Sequence, residues 1–213
     1  MLNDLTNGIF FITSPFQLLP TIFYTTNQKH MKTKIKAIVM SIAALMLSVN
    51  AFALTDRSAE DEKAALVADW ERAKAYTLEY LDAMPEDGTN SSPVEGIRTF
   101  AEQMLHIANA NVGIMGLATG GKGIFEGNIE QDDKYKNKKA LRAAVVKSYN
   151  FCISEVKNFD MSKSGELVAG FGGAELSRME WLKKNFEHQT HHRGQTTIYL
   201  RAHGVTPPPE KLF

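Results

Sequence analysis

A single cysteine, Cys152, stands in 213 residues. That excludes an intrachain disulfide, a cysteine-based zinc site and a dithiol redox motif. Flanked by Phe151 and Ile153 in a helical pattern, the thiol reads as a small core residue rather than a reactive one. Net charge is also missing, because 24 Lys and Arg balance 24 Asp and Glu. The balance is uneven along the chain: residues 1–53 hold four Lys and one Asp, so the remainder carries 20 basic and 23 acidic residues, a net of −3 from 20 − 23. Such a surface provides no field for nucleic acid. No segment alternates apolar and polar residues convincingly enough to be read as a strand.

The composition, 44% hydrophobic and 23% charged, is that of an ordinary globular domain with appendages. Met31-Lys32-Thr33-Lys34-Ile35-Lys36 forms a positive region, followed by an apolar run from Ala37 to Val49 and the small-x-small pattern Ala51-Phe52-Ala53. This is the order of an export signal, and it predicts a mature chain starting near Leu54. The rival reading is a retained anchor, because the run through Leu54 approaches the roughly 18 residues of a membrane span. No cysteine follows the run, so lipid attachment there is excluded. Residues 1–30 show neither a charge pattern nor a clear period, and Met31 is the expected start of translation. The chain therefore divides into an over-extended 1–30, a signal at 31–53 and a domain at 54–213.

Within that domain, Ser58 and Asp61 have capping-box spacing. Leu66, Trp70, Thr77, Leu81 and Met84 then recur at helical steps up to Pro85, where a helix must stop. After a polar turn containing the sequon Asn90-Ser91-Ser92, a second helix is expected to open at Pro93. It carries Ile97, Phe100, Met104, Ala108 and Met115 inward, with His106 at the seam between its faces. Gly116 to Gly123 nearly spells a phosphate-binding loop. However, Gly123 replaces the hydroxyl residue and no strand precedes it, so a helix end and loop is the better reading.

A third helix is predicted from Asp133 to Phe159, with Leu141, Val145, Tyr149, Cys152, Ile153 and Val156 inward. Lys134, Lys136, Lys138, Lys139 and Arg142 near its start read as a solvated face. A glycine-rich link, Gly165 to Gly173, leads to a fourth helix that begins in a capping box, Ser177 with Glu180, and ends before Gly204. Pro207-Pro208-Pro209 forms a stiff tail. Four long helices predict an all-α four-helix bundle.

Three of the six histidines lie within residues 188–192. At about 100° per residue, His188 and His192 share a face with Trp181 and Tyr199, within about 40°, whereas His191 falls beside Lys184 and Glu187. The i, i+4 pair on the inward face suits two ligands of one ion. His191 reads as a rim residue. A lone histidine such as His106 is, by itself, more often structural.

Two stretches carry a resemblance. Arg98-Thr99-Phe100-Ala101-Glu102-Gln103-Met104-Leu105-His106-Ile107 and His188-Gln189-Thr190-His191-His192-Arg193-Gly194-Gln195, continued by Tyr199 to Val205, resemble the DinB-like family. These are four-helix bundle proteins grouped with metal-dependent hydrolases and thiol S-transferases. The resemblance implies that His106, His188 and His192 bind a divalent ion, zinc or nickel, and that the protein forms a homodimer. One departure is evident: many relatives place an acidic residue shortly after the first histidine, where this chain has Asn109 and Asn111.

Three neutral imidazoles leave an ion its charge and an open position. The ion can then activate water or stabilise a thiolate. The expected function is thus a hydrolase of an unknown small substrate. The alternatives are a thiol-dependent S-transferase and a non-catalytic module fastened by metal. Export to the periplasm, with no stable membrane insertion after cleavage, favours hydrolysis, because thiol cofactors are scarce there. No general base is identified. Gln103 and Tyr199 are candidates for orienting a ligand or substrate, with packing as their plainer role. DNA repair is opposed by the acidic balance and the export signal.

Overall fold

The computed structural model describes residues 19–212, with the side chains of 30–43, 45–46 and 59–212. The chain divides into two units, Met1–Asp56 and Arg57–Phe213. In the first, the described residues belong to helix α1, Leu19–Ala83. Among the described residues, no helix is long and apolar enough to cross a membrane. Most of the 1–30 segment, and the side chains of the cleavage pattern Ala51-Phe52-Ala53, lie outside the described residues.

The second unit contains the rest of α1 and three more helices, α2 Phe100–Thr119, α3 Lys138–Asn158 and α4 Arg178–Ala202. Two of the expected helix starts shift, for one reason. The second helix opens at Phe100, not Pro93, because Thr99 forms a capping box with Glu102. Pro93 through Ile97 lie in turns and bends, and Ile97, expected inward, is exposed. The third helix starts at Lys138, where the Asn137 side chain accepts from the Ala140 N–H. In both places a side-chain oxygen satisfies the free amides of the first turn, and that fixes the boundary more strongly than the apolar period does. Conversely, no helix starts at Ser58, since α1 extends from Leu19 to Ala83. No glycine or proline nearby would interrupt the helix. The box at Ser177 and Glu180 forms as the sequence predicts.

The core is aromatic. Trp70 of α1 meets Tyr149 of α3 and Phe186 of α4 edge-on, at ring separations of 5.8 and 5.5 Å. Helix α2 lies against both α3 and α4. Cys152 is fully buried with its Sγ toward the Asn111 carbonyl, and burial pushes its pKa up. A polar track also runs inside the bundle. The Thr77 hydroxyl lies 2.7 Å from the Tyr149 hydroxyl, which donates to Gln189 Oε1. Arg193 also donates to that oxygen and lies over the Tyr76 ring. Its charge is held by an amide and a π face, which replaces water only in part.

The basic cluster is engaged locally. Lys134 pairs with Asp132, Lys136 with Glu102 and Asp133, and Arg142 with Asp82, while Lys138 donates to the Asp82 and Met84 carbonyls.

The glycine-rich link differs from its expected form. It folds into a hairpin, β1 Leu167–Ala169 paired antiparallel with β2 Glu175–Ser177. Three-residue strands are too short for a period of two to register in the sequence. Gly172 and Gly173 close the turn with φ of 65° and 77°, a region open to glycine. The Trp181 indole N–H donates to the Val168 carbonyl and so holds the hairpin on α4.

Candidate metal centre

Helix α2 contributes His106, and α4 contributes His188 and His192. The three rings converge, with centroid separations of 5.2 Å for 106–188, 4.4 Å for 106–192 and 4.4 Å for 188–192. One ligand atom from each lies within 4.8 Å of the others, so the three could hold a metal ion. The resemblance singled out these same three. His191 is exposed at the rim and receives a 3.2 Å contact from Gln195 Nε2. His203 lies elsewhere, fixed by Ser91 Oγ.

What surrounds the rings sets their tautomers. His106 Nδ1 lies 2.9 Å from Glu130 Oε2, so a proton there is donated to the carboxylate and Nε2 keeps its lone pair. Glu130 is only 8% exposed and also accepts from Arg98 Nε at 2.5 Å. His192 Nδ1 lies 2.9 Å from Gln195 Oε1. Gln103 Nε2 donates to that same oxygen and lies 2.8 Å from His192 Nδ1. The Tyr199 hydroxyl donates to the Arg98 carbonyl, which steadies the segment that carries Arg98. Of the two candidates for orientation, Gln103 therefore reaches the His192 ring directly, and Tyr199 acts one residue further out.

Burial depresses the basicity of His188 and lowers His192 to about 4, with the neighbouring imidazoles adding to both shifts. Both rings are thus neutral at pH 7, the form that coordinates metal. Burial pushes the Glu130 carboxyl up, but the contacts from Arg98 and His106 outweigh it and hold the group below its ordinary range. His188 Nδ1 is buried without a hydrogen-bond partner. An orphaned ring nitrogen inside a cluster of three imidazoles is what a divalent cation would satisfy, so these residues fit such an ion.

Glu130 is the residue that sequence reasoning missed. It stands 24 positions after His106, in the short helical turn Ile129–Gln131 whose start is capped by Asn128. No period links it to α2. It places a carboxylate beside His106, which Asn109 and Asn111 do not. Asn111 itself is buried and faces the core, where its carbonyl accepts from Asn185. Two openings flank the centre. One, of about 630 Å³, is lined by Arg98, Gln103, Glu130 and Tyr199, and the other, of about 830 Å³, by His106, His188 and apolar side chains of α2, α4 and the hairpin. If Glu130 fixes His106 as described, Glu130→Gln should weaken zinc binding by about 10–100-fold, measured by competition with a chelating dye. Unchanged affinity would count against the role.

The sequence model of the DinB family matches residues 55–212. Among solved structures, a DinB-like protein from Bacillus cereus has a TM-score of 0.59 at 21% identity, covering 68% of this chain and 95% of its own. A DinB-like protein from Bacillus subtilis has a TM-score of 0.54 at 17% identity, with coverages of 68% and 96%. A mycothiol-dependent maleylpyruvate isomerase has a TM-score of 0.50 at 15% identity, covering 66% of this chain and 67% of its own. No curated protein matches the chain. The family match spans the second unit and includes all three histidines, and the chain belongs to the DinB family.

Proposed function

We propose that the protein is a metal-dependent hydrolase of a small substrate, with His106, His188 and His192 as ligands of one zinc or nickel ion. The observation that carries this reading is the ligand count. Three imidazoles converge beside an open cavity, and the nearest carboxylate, Glu130, stands behind His106 rather than in the ligand set. Three protein ligands with a free position mark a catalytic site, while structural sites are closed by a fourth. When bound, the ion supplies Lewis acidity toward water or a substrate oxygen. The chain's own contribution is to keep His188 and His192 neutral, fix the tautomer of His106 through Glu130, and shield one side of the site with the α2–α4 contact.

A thiol-dependent transferase is the second reading, supported by the likeness to a mycothiol-dependent maleylpyruvate isomerase. Zinc-loaded protein assayed with p-nitrophenyl acetate separates the two. Hydrolysis that depends on His188 and ignores added thiol is expected. Turnover that appears only with thiol present would select the transferase, and none under either condition would leave a metal-fastened module.

Export to the periplasm is part of the proposal, supported by the order of charge, apolar run and small residues in 31–53. Cell fractionation with N-terminal sequencing should find the periplasmic form starting at Leu54. A form that stays in the cytoplasm and retains Met31 overturns it. Homodimerisation, implied by the family resemblance, belongs to the same proposal and is read by light scattering.

A further inference from the structure

The 830 Å³ opening is a trough rather than a polar channel. Ile114, Leu176, Phe171 and Trp181 form its walls, and His106 and His188 stand at its edge. Its volume lies within the range of small-ligand sites. The Trp181 N–H is engaged by the Val168 carbonyl, so the indole offers the trough only its apolar ring. Lys184 and Glu187, which also line it, pair with each other at 2.7 Å. Away from the histidine edge, an ionic ligand would therefore find no unpaired opposite charge along the walls, and burying it would cost its hydration.

Phe171 is the other telling feature. It sits in the hairpin turn, 61% exposed, with its ring 6.1 Å from that of Trp181. A large apolar side chain left in water at the mouth of a cavity has a reason to be there if a ligand covers it.

We infer that this trough binds an uncharged molecule with an aromatic or alkyl body, whose one Lewis-basic end group reaches the histidines, and that Phe171 and Leu176 select for that body. The end-group part rests on the metal-centre reading above. The body part does not, and the test keeps them apart.

Gly113 gives the sharpest probe. It is exposed within α2, and a Cβ built there meets only Phe171 Cζ, at 4.0 Å. Gly113→Leu thus fills the trough while replacing a poor helix residue with a good one, so the fold is spared. The full chain is titrated with N-phenyl-1-naphthylamine, a neutral aromatic fluorophore. Wild type should bind it saturably, and Gly113→Leu should weaken binding at least about tenfold, the equivalent of a modest loss of contact. Its melting temperature should not fall. Phe171→Asp, at a position already exposed, should weaken binding in the same direction. In competition, 2-naphthol should displace the probe at least about tenfold better than 2-naphthalenesulfonate. Wild type stripped of metal with a chelator should keep the probe. Wild type that binds the probe but takes up no zinc would remove the metal reading alone. Gly113→Leu binding like wild type, or the sulfonate competing equally, would overturn the inference made here.

Discussion

His188→Ala is expected to abolish stoichiometric zinc binding while leaving the bundle folded. Wild type should carry about one ion per chain, and the variant under about a tenth of that, because two imidazoles cannot close a three-ligand site. The loss should exceed the roughly 10–100-fold expected when an outer partner is removed. His188 is half-buried and its Nδ1 has no protein partner, so truncation deletes no hydrogen bond at that atom and little of the core. A second readout follows from linkage. Ligand at 100 times its dissociation constant stabilises the folded state by about 2.7 kcal/mol, so zinc should raise the wild-type melting temperature and leave that of the variant unmoved. His203→Ala is the control, since that ring is tied to Ser91 away from the cluster. Equal metal content in wild type and His188→Ala would refute the ligand assignment.

The second large effect concerns stability. Trp70→Ala should cost about 3–5 kcal/mol, the usual range for deleting a fully buried aromatic. Trp70 is 0% exposed and bridges α1 to α3 and α4 through Tyr149 and Phe186, so no single neighbour can move in to fill the space. For a domain of this size that corresponds to a fall in melting temperature of roughly 6–20 °C. Trp70→Phe should cost much less. It preserves the edge contacts, and it removes an indole N–H that is buried without an acceptor, a group whose desolvation costs about 1–3 kcal/mol. The comparison is made by thermal and urea unfolding of the three proteins. Similar losses for the alanine and phenylalanine variants would mean that the core is not organised around this ring.

The all-α class and the core stripes were legible in the sequence because a period of 3.6 is a local property. Trp70, Leu81, Met104, Met115, Leu141 and Val145 are all buried where the spacing placed them. The inward pair His188 and His192, and the outward His191, could be read in the same way, since a rigid helix fixes the angle between residues of one element. Helix starts were less legible. Thr99 and Asn137 compete with earlier plausible starts, and the choice depends on which side-chain oxygen reaches a free amide. The hairpin at 167–177 escaped because its strands have only three residues and depend on Trp181 for support.

The sequence by itself determined four helices, their apolar faces and the two imidazoles one turn apart, since each is set by neighbours within a few positions. Tertiary structure alone decided that His106 reaches that pair, that Glu130 stands behind it and that a trough opens alongside. Those relations join α2, α4, a capped turn and a hairpin, and no local period encodes the distance between elements that meet only when the core closes.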